Sequence, residues 1–474
     1  MGVKKNIIYT SFLTGANYIF PLLTYPYISR VLGPSNLGEN EFALRIVSYF
    51  LLFSSLGVAT VGTREIAKCK NEREKTSQVF SSILLLNLLS TVLVLALYFL
   101  CLIIVPPFQR VRSLLLIGSI QLAFTPFLIE WLYKGMEDFP YITKRSLFIR
   151  ILYVITIFLF VKDEEDLQIY FSLTICSMIL NAIFNWGYKS KYVNFTLKGL
   201  SLRNYIKPFI TFGVYSFLTS MYISFNVLFL GIVSSNLEVG YYSAATKLFG
   251  VILAFFTSFS SVMMPRMSSI IANNDTEGEK NLIKKSFELL FPLSFVLITI
   301  GELFAPDIIQ LLSGPGYDGA ILPFRIILPL ILIIGVEQIL IVQILTPMGK
   351  DKAILVNSII GSICGIGLNF VLVPNLLSIG SSIVWLSSEL AVFSSALYFV
   401  IKHKGNVIPI GLLIKNVLLF SIAGIFVMMF MLLPINEYII MMMSIVFILA
   451  YTLLTQTILL KNSVIVSILK LHKA

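Results

Sequence analysis

Fourteen runs of mostly apolar residues follow one another along this chain, all but one long enough, at about 20 residues, for an α-helix to cross the hydrocarbon core of a bilayer. They fall near residues 7–31, 42–62, 78–105, 113–133, 146–161, 167–187, 208–233, 241–264, 286–311, 323–347, 353–373, 379–401, 416–433 and 438–460. Of the 474 residues, 57% are hydrophobic and only 12% charged, against about 25% charged in a soluble domain. With a mean hydropathy of +0.91, lipid is the main solvent the chain can meet. The expected fold class is all-α: a polytopic membrane protein of about 14 transmembrane helices. The run 146–161 is short, and spans only if Lys144, Arg145 and Lys162 snorkel to the interfaces. The first run is too long for a signal-peptide core and ends in no small-residue cleavage site, so it reads as a retained helix.

The net charge of +11 is set by topology. Of 35 Lys and Arg, 28 collect on one side, in clusters such as Arg64–Lys75, Lys134–Arg150, Lys189–Lys207 and Lys280–Lys285. By the positive-inside rule this side is cytoplasmic, both termini lie there, and the number of spans is even. A nucleic-acid partner is therefore unnecessary. The outward segments 106–112, 162–166 and 374–379 are too short to fold into a catalytic domain. Cys69, Cys101, Cys176 and Cys364 have no metal or disulfide spacing, and His403 and His472 sit in basic polar segments, so neither a metal site nor a cofactor is expected.

Two strings about 200 residues apart resemble each other: Ser35-Asn36-Leu37 leading to Ala43 and Arg45, and Ser235-Asn236-Leu237 leading to Ala245 and Lys247. Each joins the first helix of a six-helix block to its second. A fainter echo pairs Lys134-Gly135-Met136 with Met348-Gly349-Lys350 after each fourth helix. Two pseudo-symmetric six-helix lobes are expected, residues 1–205 and 206–405, followed by a helix pair and tail, 406–474. Parallel repeats of this kind are related by an axis along the membrane normal.

Intramembrane charges usually face a cavity or a partner, because a charge at the bilayer centre costs about 2.5–3.5 kcal/mol on insertion scales. Arg30, Arg45 and Lys247 lie near the outer helix ends, with Arg325 beside that set. Either they snorkel, or Arg30, Arg45 and Lys247 line a cationic cavity suited to a phosphate or pyrophosphate. Glu337 and Glu389 fall near mid-membrane as candidates for proton or sodium coupling, with a satisfied structural pair as the other reading. Pro21 and Pro26 remove backbone hydrogen bonds from the first helix, which predicts a kink there and makes them hinge candidates. Gly361-Ser362-Ile363-Cys364-Gly365 lies mid-membrane and reads as close helix packing rather than a phosphate loop.

Several strings taken together carry a family resemblance. They are Tyr27-Ile28-Ser29-Arg30-Val31-Leu32-Gly33-Pro34, Gly62-Thr63-Arg64-Glu65, Glu130-Trp131 with Tyr133 and Gly135, Val239-Gly240-Tyr241-Tyr242-Ser243-Ala244-Ala245, and Met348-Gly349-Lys350-Asp351-Lys352. In these the chain resembles the Wzx-type polysaccharide or O-antigen flippases of the multidrug/oligosaccharidyl-lipid/polysaccharide (MOP) exporter superfamily. The resemblance implies a bacterial cytoplasmic-membrane protein that is not an enzyme. It would export an undecaprenyl-pyrophosphate-linked oligosaccharide by alternating access, without ATP. H+ or Na+ are candidate coupling ions, and a polysaccharide polymerase is a candidate partner. A cation-coupled multidrug antiporter of the same superfamily is the nearest rival, although such relatives usually carry an acidic residue in the first helix and residues 7–29 contain none. A polytopic glycosyltransferase or polymerase is the rival from another class, and the short outward loops speak against it.

Overall fold

In the computed structural model, which describes residues 3–471, the backbone is helical nearly throughout, and no strand occurs among the described residues. Lipid cannot hydrogen-bond a bare backbone, and a helix pairs its own N–H and C=O groups within the segment. Contacts divide the chain into two compact units, Met1–Gly240 and Tyr241–Ala474.

The first unit begins with α1 (Val3–Ser55), α2 (Val58–Cys69), α3 (Arg73–Ile104), the short α4 (Pro106–Gln109) and α5 (Arg112–Phe124). After a tight turn at Thr125–Leu128 come α6 (Glu130–Gly135), α7 (Phe139–Phe160), α8 (Leu167–Tyr188) and α9 (Leu202–Val233). α1 is the hub, packing against α3, α5, α7 and α9. It is two rods joined at Gly33, whose φ of 71° and ψ of 171° suit glycine. Pro34 then opens the second rod, where its missing N–H costs nothing. The backbone stays helical through Pro21 and Pro26, so the break lies at Gly33 and not at either proline. Two side chains add bonds to backbone carbonyls of this rod: Thr24 Oγ1 donates to the Phe20 carbonyl at 3.1 Å and Arg30 Nη1 to that of Pro26 at 2.7 Å.

The segment 35–41, expected as an outward loop, is also helical. Its Gly38 lies against the Asn236 carbonyl, and Gly240 lies against that of Pro34. Asn236 Nδ2 donates to Glu39 Oε2 at 3.3 Å. The two related strings thus touch reciprocally through their glycines. α7 is longer than the run 146–161 expected for it. It starts at Phe139, capped by Asp138, whose carboxylate accepts from the Tyr141 N–H at 3.3 Å. Asp138 also accepts from the Tyr192 hydroxyl at 2.6 Å.

The second unit is built from α10 (Asn236–Ala272), which begins just before the boundary, α11 (Thr276–Leu303), α12 (Ala305–Ser313), α13 (Ile321–Ile327) and α14 (Leu330–Glu337). α14 passes into a π-helix, Gln338–Leu345. Then come α15 (Asp351–Lys404), α16 (Ile410–Phe430), α17 (Glu437–Leu454), a second π-helical stretch at Thr455–Leu459, and α18 (Ser463–Leu471). α15 is again two rods, broken at Leu377, where φ is 52°. Buried amides pin the last helices to α11. Gln456 Nε2 donates to Asn416 Oδ1 at 2.8 Å, and Asn462 Nδ2 donates to Gln456 Oε1 at 3.1 Å and to the Glu288 carbonyl at 2.7 Å.

Ten helices among the described residues are long and apolar enough to cross a membrane. Two of these contain a break, at Gly33 and Leu377, and α7 and α9 are also of spanning length. Helical segments therefore occupy the fourteen apolar runs, some of them interrupted, as at Thr125–Leu128 and Phe304. The outward segment expected at 374–379 shrinks to the single break at Leu377.

Candidate functional site

In the first unit a cavity of about 520 Å³ opens between α1, α7 and α8. It begins where the helix before it fails. Pro126 and the Thr125–Leu128 turn end the fourth span, and Ile129 sits at φ 29°, a region that β-branched residues seldom adopt. That corner sets Glu130 against the cavity at the head of α6. In a membrane protein such non-helical backbone is tolerated where it borders protein or a cavity.

Across from Glu130, Arg145 is 7% exposed. Its Nη2 donates to Glu130 Oε2 at 2.9 Å, its Nη1 donates to Asn185 Oδ1, and the Tyr141 ring lies 5.7 Å from the guanidinium carbon. Asn185 in turn donates to the Leu128 carbonyl, and its own carbonyl accepts from Tyr133. Arg145 is thus a held cation, not the snorkelling loop charge expected from its place in the sequence. The Nε of Arg145 is buried with no partner. One turn and a half further along α7, Arg150 lines the same cavity, with Tyr153, Tyr170, Ser177 and Asn181 completing a polar wall. Pro21 and Thr24 of α1 border it as well.

Neither Arg30 nor Arg45 is among the lining residues. Arg30 is exposed. Arg45 faces Glu41 one turn back, 3.9 Å away, with its side chain 38% exposed, and its Nε is buried without a hydrogen-bond partner. Lys247 lies half-buried on α10.

Glu337 and Glu389 do meet. Both are buried, on α14 and α15 of the second unit, with their carboxyl groups within hydrogen-bonding reach of each other. Trp385 Nε1 donates to Glu389 Oε1 at 3.0 Å, while Glu337 Oε1 has no partner. Glu337 is the last α-helical residue before the π-helix, a form that recurs at functional sites. Arg325 Nε donates to the Glu302 carbonyl at 3.2 Å.

The sequence profile described as "Polysaccharide biosynthesis protein" matches residues 3–271, more than half of the chain. The chain belongs to this polysaccharide biosynthesis protein family. As a family member it also belongs to the MOP superfamily expected from its motifs: the MatE profile matches residues 212–371. A protein of Escherichia coli strain K12 named "Putative O-antigen transporter" is 27% identical over 416 residues, covering 85% of this chain and 98% of that protein. One of the same name from Shigella dysenteriae is 26% identical over 372 residues, covering 76% of this chain and 90% of that protein. Among solved structures, "Lipid II flippase MurJ, inward closed conformation" shares the fold. The TM-score is 0.79 at 15% identity, over 97% of this chain and 100% of that one.

Proposed function

We propose that this family member is a flippase that carries an undecaprenyl-pyrophosphate-linked oligosaccharide across a bacterial cytoplasmic membrane by alternating access, with both termini cytoplasmic. The observation that carries the reading is the cavity of the first unit, where Arg145 and Arg150 stand among Asn181, Asn185, Tyr153 and Tyr170. A pyrophosphate brings at least two negative charges, and entering a low-dielectric cavity is costly unless cations already wait there. Guanidinium forks suit phosphate oxygens, and amides and phenols suit sugar hydroxyls. The names of the curated relatives and of the lipid II flippase support a lipid-linked substrate.

Within this reading the chain's other charges take distinct tasks. Arg145 is anchored by Glu130 and Asn185, so it sets the electrostatics of the cavity, while Arg150 contacts the phosphate. Arg30, Arg45 and Lys247 serve the phosphate on its way to the outer side. Glu337 and Glu389 exchange the coupling ion, H+ or Na+. Pro21 and Pro26 let α1 bend beside the cavity. The lobes 1–205 and 206–405 move against each other, with 406–474 as an added pair. The multidrug antiporter reading is weaker, since the polysaccharide profile spans the longer part of the chain and α1 lacks an acidic residue over 7–29.

Complementation of a strain lacking its own flippase, read as surface polysaccharide, tests the assignment. Arg150→Gln is expected to abolish most export at unchanged protein level. Arg45→Gln with Lys247→Gln is expected to reduce it. Normal surface glycan from Arg150→Gln removes the cavity from the pathway. Normal glycan from the Arg45/Lys247 double variant leaves those two as interfacial residues.

A further inference from the structure

A second cavity, of about 400 Å³, lies within the second unit where α11 begins, α15 ends and α16 begins. None of the residues assigned above touches it. Three lysines line it, Lys280, Lys284 and Lys404, against one carboxylate, Glu279. Their states differ. Lys404 Nζ donates to Glu279 Oε2 at 2.7 Å. Lys284 is 68% exposed and only loosely paired with Glu288, at 3.7 Å. Lys280 is exposed and makes no ion pair among the described residues. Glu279 is 7% exposed, and its Oε1 is buried with no hydrogen-bond partner. A buried carboxylate oxygen left bare is costly, so this position calls for a donor from outside the chain.

The cavity therefore offers an excess of cations for an anion and, beside them, one acceptor for a hydroxyl. The rest of its wall is apolar at Ile283, Val407 and Pro409 and polar at Thr276 and Asn406. Ile410 and Ile414, exposed by 52% and 53%, continue along α16 from its mouth. A free anion has no use for such a track, whereas an acyl chain does. It also lies on the lysine-rich side of the chain, where basic pockets between helices take anionic headgroups.

We propose that this cavity binds a phosphatidylglycerol-type phospholipid. Its phosphate sits on Lys280 and Lys284, its glycerol hydroxyl donates to Glu279 Oε1, and an acyl chain lies along Ile410 and Ile414 of α16. The lipid is a resident of the membrane and not the transported substrate, so the site stands whether or not the export reading does.

Native mass spectrometry of the purified full-length chain in detergent, titrated with phosphatidylglycerol, phosphatidylcholine or inorganic phosphate, tests this. Phosphatidylglycerol is expected to bind as a discrete adduct and phosphatidylcholine to bind far more weakly. Lys280→Gln should lower affinity about fivefold, and Lys280→Gln with Lys284→Gln about 25-fold, from roughly 1 kcal/mol per cation. Lys402→Gln, two residues before Lys404 but outside the cavity lining, should leave affinity unchanged. Equal adducts with both lipids, an unaffected double variant, or an equal loss in Lys402→Gln would each overturn the site. Inorganic phosphate that displaces phosphatidylglycerol at comparable concentration would make it a free-phosphate site and overturn the lipid assignment.

Discussion

At Gly38 a methyl group has nowhere to go: a Cβ there would lie 1.7 Å from the Asn236 carbonyl oxygen. Gly240 is the mirror case, 2.0 Å from that of Pro34. Gly38→Ala should therefore lower the melting midpoint of the purified protein, by an overpacking cost of about 1–3 kcal/mol. Gly411→Ala is the control, since it has open space around it on α16 and should be neutral or slightly stabilising. Equal midpoints for Gly38→Ala and the parent would mean the helix ends are not held at this distance. At the same scale, Arg145 is fixed by Glu130, Asn185 and Tyr141. Removing it would leave Glu130 with Lys134 alone, at 2.9 Å on the next turn.

Among the elements, the junction of α14 with its π-helix concentrates the unusual chemistry of the second unit. Glu337 ends the α-helical stretch. Six residues on, Gln343 is fully buried, accepting from Ser286 at 2.8 Å and donating to Ser260 at 3.2 Å. The widened turn is thus held on both sides by buried polar contacts. If the carboxyl pair exchanges protons, Glu337→Gln should flatten the pH dependence of export while leaving protein level intact, because an amide keeps the hydrogen bond but cannot titrate. An unaltered pH profile in that variant makes the pair structural. The positions of Glu337 and Glu389 in apolar runs were legible in the sequence as a question. Their meeting was not, because nothing in a helix's composition tells which face it turns to a helix 50 residues away. The π-helix was equally hidden: Gln338–Leu345 reads as ordinary apolar helix. At α1 the prolines drew attention by their chemistry, but the break went to Gly33, where the backbone turns left-handed and only glycine does so freely.

For the molecule as a whole, apolar length was enough to place the helices, since lipid leaves the backbone few alternatives. The cavity of the first unit escaped for an instructive reason. Glu130 and Arg145 both lie near the ends of apolar runs, where charges normally face water, so each looked like a loop residue. Their opposite signs on either side of one short turn were the available signal. Topology remains the broadest test. Cysteine labelling should reach positions 108, 164, 316 and 376 from outside, and 70, 140, 195, 275 and 405 only after the membrane is opened. Outside labelling at 195 would invert the assignment of the first six spans.

The amide chain that ties Asn416, Gln456 and Asn462 to Glu288 also has a consequence in time. A ribosome delivers α11 and α16 to the membrane before α17 and the turn after it exist. Until then Asn416 and Glu288 lack those partners, and a polar group facing hydrocarbon is what a membrane quality-control protease or chaperone can recognise. Only when Gln456 and Asn462 arrive is the mark erased. Helices made later thus supply the polar partners of helices made earlier.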